Sequence, residues 1–123
     1  MKKIDLTRMV SNDLVKLFAD TALKQDSALL ADDIEKVNLL FDKLEEIERE
    51  LKSRDGDQRD LLLALYDHPN VQVRVKAVKA TLAVEPTAAR SMLKAIAASK
   101  EYPQAAEAGM SIWALEKGIF KPN

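Results

Sequence analysis

Apolar residues recur at intervals of three and four along most of the chain, with polar residues between them. That period marks amphipathic helices, because one turn takes about 3.6 residues. Leu14, Leu17, Phe18 and Ala22 form the inward face of a first helix that begins near Ser11. A serine there can cap the helix through its hydroxyl, and Asp13 lies in the first turn, where the dipole favours a carboxylate. Val10 and Val15 have the spacing of a hydrophobic staple. Residues 4–9 read as a short leading turn or as irregular chain. A second, longer helix is expected from about Asp32 to Ser53. Its stripe is Ile34, Val37, Phe41, Leu44, Glu48 and Leu51, widened by Leu40 and Ile47. Asp32–Lys36, Glu45–Arg49 and Glu48–Lys52 stand four apart on it, pairs worth about 0.3 kcal/mol each. Gly56 suits the left-handed backbone that ends a helix. At about three heptads the segment favours packing within a domain over a coiled coil. Asn38 interrupts its apolar side. A buried amide must be paired, so Asn38 either satisfies a neighbouring helix end or contacts a ligand.

From Arg59 to Pro86 the chain reads RDLLLALYDHPNVQVRVKAVKATLAVEP. A third helix is expected over Asp57–Asp67, with Leu61, Leu62, Leu65 and Tyr66 apolar, stopped by Pro69. In the fourth, Val71, Val75, Val78 and Leu82 occupy one arc, and Val73, Ala77, Ala80 and Val84 a second. Gln72, Lys76, Lys79 and Ala83 fill the gap between them. Two apolar arcs imply neighbours on two sides, the position of an inner helix in a solenoid. Pro86 breaks the chain and Thr87 can cap a fifth helix that runs to about Ser99, with Met92, Leu93 and Ile96 inward. Pro103 opens a sixth, bearing Ala106, Met110, Trp113 and Leu115 and ending at Gly118. Gly109 inside it costs about 1 kcal/mol relative to Ala, and close helix–helix approach is the expected compensation. A shift of about 31 residues lays the last two helix pairs on one another: Leu61 on Met92, Leu62 on Leu93, Leu65 on Ile96, Ala77 on Ala108, Leu82 on Trp113.

Composition narrows the classes. The chain has 123 residues, enough for one domain, and 47% are hydrophobic, enough for a core. There is no cysteine, which excludes disulfides and thiolate metal sites. No apolar run approaches the ~18 residues of a membrane span, and the start of the chain lacks the apolar region of a signal peptide. A cytoplasmic protein is therefore expected. Net charge is −1. Residues 1–56 carry 10 basic and 13 acidic side chains, and residues 57–123 carry 9 and 7. That imbalance is too small to hold a polyanion.

Asp67, a loosely spaced Val73, Arg74 and Ala77 resemble the D-x-x-x-x-V-R-x-x-A pattern of a HEAT repeat. The resemblance implies a turn Asp and an Arg that hydrogen-bond between successive turns, so both would be structural. The second unit departs from it, with Ala105 in place of the Arg and Ala98 in place of the Asp, as in a degenerate capping repeat. Over nearly its whole length the chain also resembles a small bacterial family, domain of unknown function 2019. VNLLFDKLEEIERELKSR, LLLALYDHPNVQVRVKAVKATLAVEP and the alanine-rich stretch closing on ALEKG carry that resemblance. It implies no catalytic residue. Small HEAT-like bacterial proteins sometimes act as immunity proteins that block a secreted toxin, and this is the role the resemblance suggests.

Candidate chemistry is sparse. His68 is the single histidine, in an Asp-His-Pro turn, and no Glu-x-x-His pair accompanies it. Ser91, Ser99 and Ser111 lie in alanine-rich helices without a nucleophile elbow. The three glycines stand alone, so no phosphate-cradling loop exists. Adjacent carboxylates such as Asp32–Asp33 and Glu45–Glu46 diverge by about 100° on a helix and do not converge on one atom. No cofactor or metal is expected. Lys76, Lys79, Arg90 and Lys94 form a modest basic strip, read as a solvated face or as a nucleic-acid contact. Trp113, the only tryptophan, reads as a plug against Met110, Ile112 and Phe120, or as an exposed anchor for a partner.

The expected fold is all-α, about six helices in antiparallel pairs. They form a short HEAT-like superhelix in which residues 1–56 cap two helical pairs over 57–123 within a single domain. The expected function is non-enzymatic protein–protein interaction. The candidate surface is Gln72, Lys76, Lys79, Arg90 and Lys94, complementary to an acidic face on an unidentified protein. A nucleic-acid-associated HEAT-like protein, binding or glycosylase-like, is the alternative. The chain is expected to be a monomer or a weak homo-oligomer.

Overall fold

The computed structural model describes residues 5–123, and every regular element among them is helical. They fall into two compact units: Leu61 closes the first and Leu62 opens the second.

The first unit is a helical hairpin, α1 (Ser11–Leu30) and α2 (Ile34–Ser53), preceded by one 3-10 turn, Leu6–Arg8. That turn realises the expected leading segment; Ile4 lies outside the described residues. Leu14, Phe18, Ala22, Leu44, Ile47 and Leu51 are buried and form its core. Asp32 takes a left-handed φ of 55° in the connection, and the Asp33 carboxylate caps α2 by accepting the Lys36 N–H at 3.2 Å.

Several expectations for this unit need correction. Val10, not Ser11, is the N-cap of α1, and its exposure leaves no staple with Val15. The Ser11 hydroxyl is engaged instead with Gln58 Oε1 and accepts from Arg54 Nη1 at 3.0 Å. Asn38 is exposed and pairs no helix end; the buried amide of the hairpin is Gln25, which donates to the Val37 carbonyl at 3.1 Å. The stripe on α2 overreaches, since Ile34 and Phe41 stay largely exposed. Of the expected four-spaced pairs, Glu45–Arg49 forms at 4.0 Å. Glu48 turns to Arg59 at 3.8 Å. Arg59 is buried and chelated by Asp57 through Nε at 2.9 Å and Nη2 at 2.7 Å. Burial raises the Glu48 carboxyl above its usual range despite that guanidinium.

Where an α-helix is expected over Asp57–Asp67, the chain forms a 3-10 helix, Gln58–Leu65. The residues that are buried explain it. Arg59, Leu62 and Leu65 are three apart, and only a period of three keeps all of them on one edge.

The second unit holds α3 (Val71–Thr81), α4 (Pro86–Ala98) and α5 (Gln104–Glu116). The Asn70 side chain caps α3, accepting from Gln72 N at 2.8 Å and Val73 N at 3.1 Å. His68 Nδ1 in turn accepts the Asn70 N–H at 3.0 Å. Pro86 is the first residue of α4 with Glu85 as N-cap, so Thr87 lies inside the helix and caps nothing. Val75, Val78, Leu82, Ala89, Leu93, Ile96, Ala108 and Leu115 make one core. Val73, Ala77 and Ala80 are buried as well, so both apolar arcs of α3 are covered, as their spacing predicts. Gly118, at φ 70°, ends α5 in a Schellman motif: Gly118 N donates to Leu115 O and Ile119 N to Ala114 O.

Candidate functional site

In the second unit polar side chains join α3 to α5. Gln72 is 2% exposed and accepts from Gln104 Nε2 at 2.8 Å, so it belongs to the interior and leaves the candidate surface. Its burial follows from position: it sits at the start of α3, where the start of α5 covers it with another amide, and a paired amide tolerates burial. Lys76 and Lys79 converge on one carboxylate, with Nζ at 3.0 and 3.1 Å from Glu107 Oε2. The lysines are one turn apart on α3, which brings both ammonium groups to the same flank of α5. Burial pushes the Glu107 carboxyl up, but the two ammonium groups outweigh it and hold the group below its usual range. Arg90 and Lys94 are exposed, on a different helix, α4. The strip foreseen in the sequence is therefore divided: one residue buried, two lysines sharing one glutamate, and two cations on α4.

Arg74 is structural, as the repeat pattern implies, but through different partners. It donates to the His68 and Pro69 carbonyls at 2.9 and 3.3 Å and pairs with Glu101 at 3.2 Å. Asp67 is exposed and is not the acceptor.

The sequence left two readings for Trp113 on α5, a core plug or an exposed anchor. The buried positions of α5 are Gln104, Ala105, Ala108, Ser111 and Leu115, mostly small. Two of its large apolar residues point away: Met110 is 68% exposed and Trp113 51%. The reading of Trp113 as a core plug is thereby corrected. The spacing explains both rows, because Ala106, Met110, Trp113 and Lys117 follow one another by four, three and four on the side opposite Ala108 and Leu115. Gly109 lies beside that row, and a Cβ added there would meet nothing within 4 Å. The close approach expected at Gly109 does not occur. Next to the row lies an open groove of about 480 Å³ lined by Lys79, Glu107, Met110, Ser111, Ala114 and Phe120. Phe120 reaches it because the Schellman turn folds the chain back over the end of α5, its N–H donating to Ala114 O at 3.2 Å.

Among the described residues no group of three or more His, Cys, Asp or Glu is placed to hold a metal ion. A second groove, of about 560 Å³ in the first unit, is walled by the mixed charges of Asp5, Glu46, Arg49 and Glu50 together with Leu6, Thr7 and Ser53. No described helix is long and apolar enough to cross a membrane.

These features define a small all-α protein of paired helices with an apolar row left uncovered on one of them. The chain belongs to a family described as domain of unknown function (DUF2019), whose model matches residues 12–116. It is similar to a solved protein, RPA1889 from Rhodopseudomonas palustris CGA009. The two share 52% identity and a TM-score of 0.95, over 98% of this chain and 100% of that one. No curated protein matches it.

Proposed function

We propose that this chain is a non-enzymatic protein-binding module whose binding face is the outward row of α5 with the adjoining Lys79–Glu107 groove. One observation carries the reading: α5 buries Ala105, Ala108 and Ser111 beside Leu115 while leaving Met110 and Trp113 68% and 51% exposed. Covering the exposed parts of those two side chains with a partner would gain roughly 1–2 kcal/mol each. Tryptophan and methionine are also the side chains enriched at the centres of protein interfaces. The groove adds a polar margin, with the Glu107 carboxylate and the Lys79 ammonium at its edge. Glu107 offsets one of the two lysine charges on α3, which leaves a smaller cationic excess there for a phosphate backbone.

The test is affinity capture with the purified chain, comparing wild type with Met110→Glu, Trp113→Ala and the control pair Arg90→Glu/Lys94→Glu. A bound protein that is lost in the first two variants and retained by the control supports the α5 face. Capture insensitive to Met110→Glu and Trp113→Ala rules that face out.

A further inference from the structure

We infer that the outward row of α5 is self-complementary and takes a second copy of this chain, the two α5 helices packing antiparallel about a twofold axis. This rests on the reading of that row as a binding face and names its partner. Read along the helix, the row is small first and large afterwards: Ala106 and Gly109, then Met110 and Trp113. Gly109 leaves open space above the helix, with no neighbour within 4 Å of an added Cβ. The row is symmetric in spacing about the point between Gly109 and Met110. Turning a second copy by a half rotation therefore lays Trp113 over Ala106 of the second copy and Met110 over its Gly109, and the same contacts repeat in reverse. An isologous interface needs this matching of each position with its complement. Large side chains facing small ones also let two helices approach to the ~8–10 Å of ordinary ridge-in-groove packing.

The rim agrees in charge. In that register exposed Lys117 faces exposed Tyr102 of the second copy, so an ammonium meets an aromatic ring at each end. The row between Ala106 and Trp113 brings no like charges together, since Glu107 lies on the flank with its two lysines. Tyr102, Met110 and Trp113, with the small residues and the Lys117 stem, offer about 550 Å² per copy. The pair then buries about 1,100 Å², at the lower edge of specific interfaces, which fits a dimer with a dissociation constant in the range of ~10–100 µM.

Sedimentation velocity on the whole chain from about 5 to 500 µM tests this. Wild type should pass from monomer to dimer across that range. Ala106→Arg, which puts a long charged side chain where Trp113 of the second copy would sit, should raise the dissociation constant by at least ~50-fold without changing the far-UV spectrum. Since the chain has no cysteine, Met110→Cys places a lone thiol next to the axis. It should oxidise to a covalent dimer faster than Arg90→Cys does. A wild-type chain that stays monomeric throughout overturns the inference. So does a dimer that survives Ala106→Arg while Met110→Cys links no faster than Arg90→Cys. A strictly monomeric chain that still captures another protein through Met110 and Trp113 removes the second copy as partner and leaves the proposed function standing.

Discussion

Glu107 joins α3 to α5, and replacing it with Gln isolates the worth of its charge. Both lysine Nζ atoms lie within 3.1 Å of one carboxylate oxygen. The side chains of Lys76 and Glu107 are 14% and 29% exposed, so the pair is only partly screened. Glutamine keeps the shape and one acceptor but leaves two ammonium groups near each other without a counter-charge. Charge-assisted hydrogen bonds in such settings are worth about 1.5–3 kcal/mol, and part of each survives to the amide. Lys79 is the more exposed lysine and adds less. Glu107→Gln should therefore cost about 1–2 kcal/mol at neutral pH, which lowers the midpoint of thermal unfolding by roughly 4–8 °C for a chain of this size.

The pH dependence follows from the direction of the shift. The folded chain holds the Glu107 carboxyl below its ordinary 4.5. On acidification the unfolded chain takes up this proton first. The stabilisation is thus complete above the unfolded value and disappears as pH falls through the lower, folded one. Urea unfolding of wild type and Glu107→Gln at about pH 7 and about pH 3 should show the gap at the first and its collapse at the second. A gap under about 0.3 kcal/mol at pH 7, or one that persists unchanged at pH 3, refutes the bridging role.

Gly109→Ala should raise stability by about 1 kcal/mol in dilute thermal melts, since its methyl meets no neighbour and the helix gains rigidity; a loss would mean that a contact closes over Gly109. Asn70→Ala removes the acceptor for two N–H groups at the start of α3 and should lower stability by about 1 kcal/mol, read from the urea midpoint. An unchanged midpoint would dismiss the cap. Gln104→Leu takes the amide donor from buried Gln72 and should cost about 1–3 kcal/mol in the same assay, whereas a neutral outcome would place water at that pair.

Helix number and order were legible because the apolar period and the breakers agree: Pro86 opens α4, Gly118 closes α5, and both arcs of α3 are buried. What escaped has identifiable causes. Leu61 to Leu63 form a run of three leucines, which hides the difference between a period of three and one of 3.6, so the 3-10 segment reads as an α-helix. Gln72 sits in a polar gap by spacing alone, and only the arrival of Gln104 from α5 makes it interior. Glu107 was not singled out, although it stands 31 residues after Lys76, the same spacing as the internal echo. On α5 hydrophobicity misleads outright. An apolar row of Ala106, Met110 and Trp113 looks like a core face, and the small row of Ala105, Ala108 and Ser111 looks like filler. Packing chose the small row.

Everything proposed for this protein depends on that choice, and Trp113, the sole tryptophan, reports on it directly. Its fluorescence should be followed across a dilution series with a soluble quencher. In dilute solution the emission should be red and readily quenched, and it should shift to the blue and become protected as concentration rises. A blue, quencher-resistant spectrum at every dilution would place the indole inside the fold and contradict an uncovered α5.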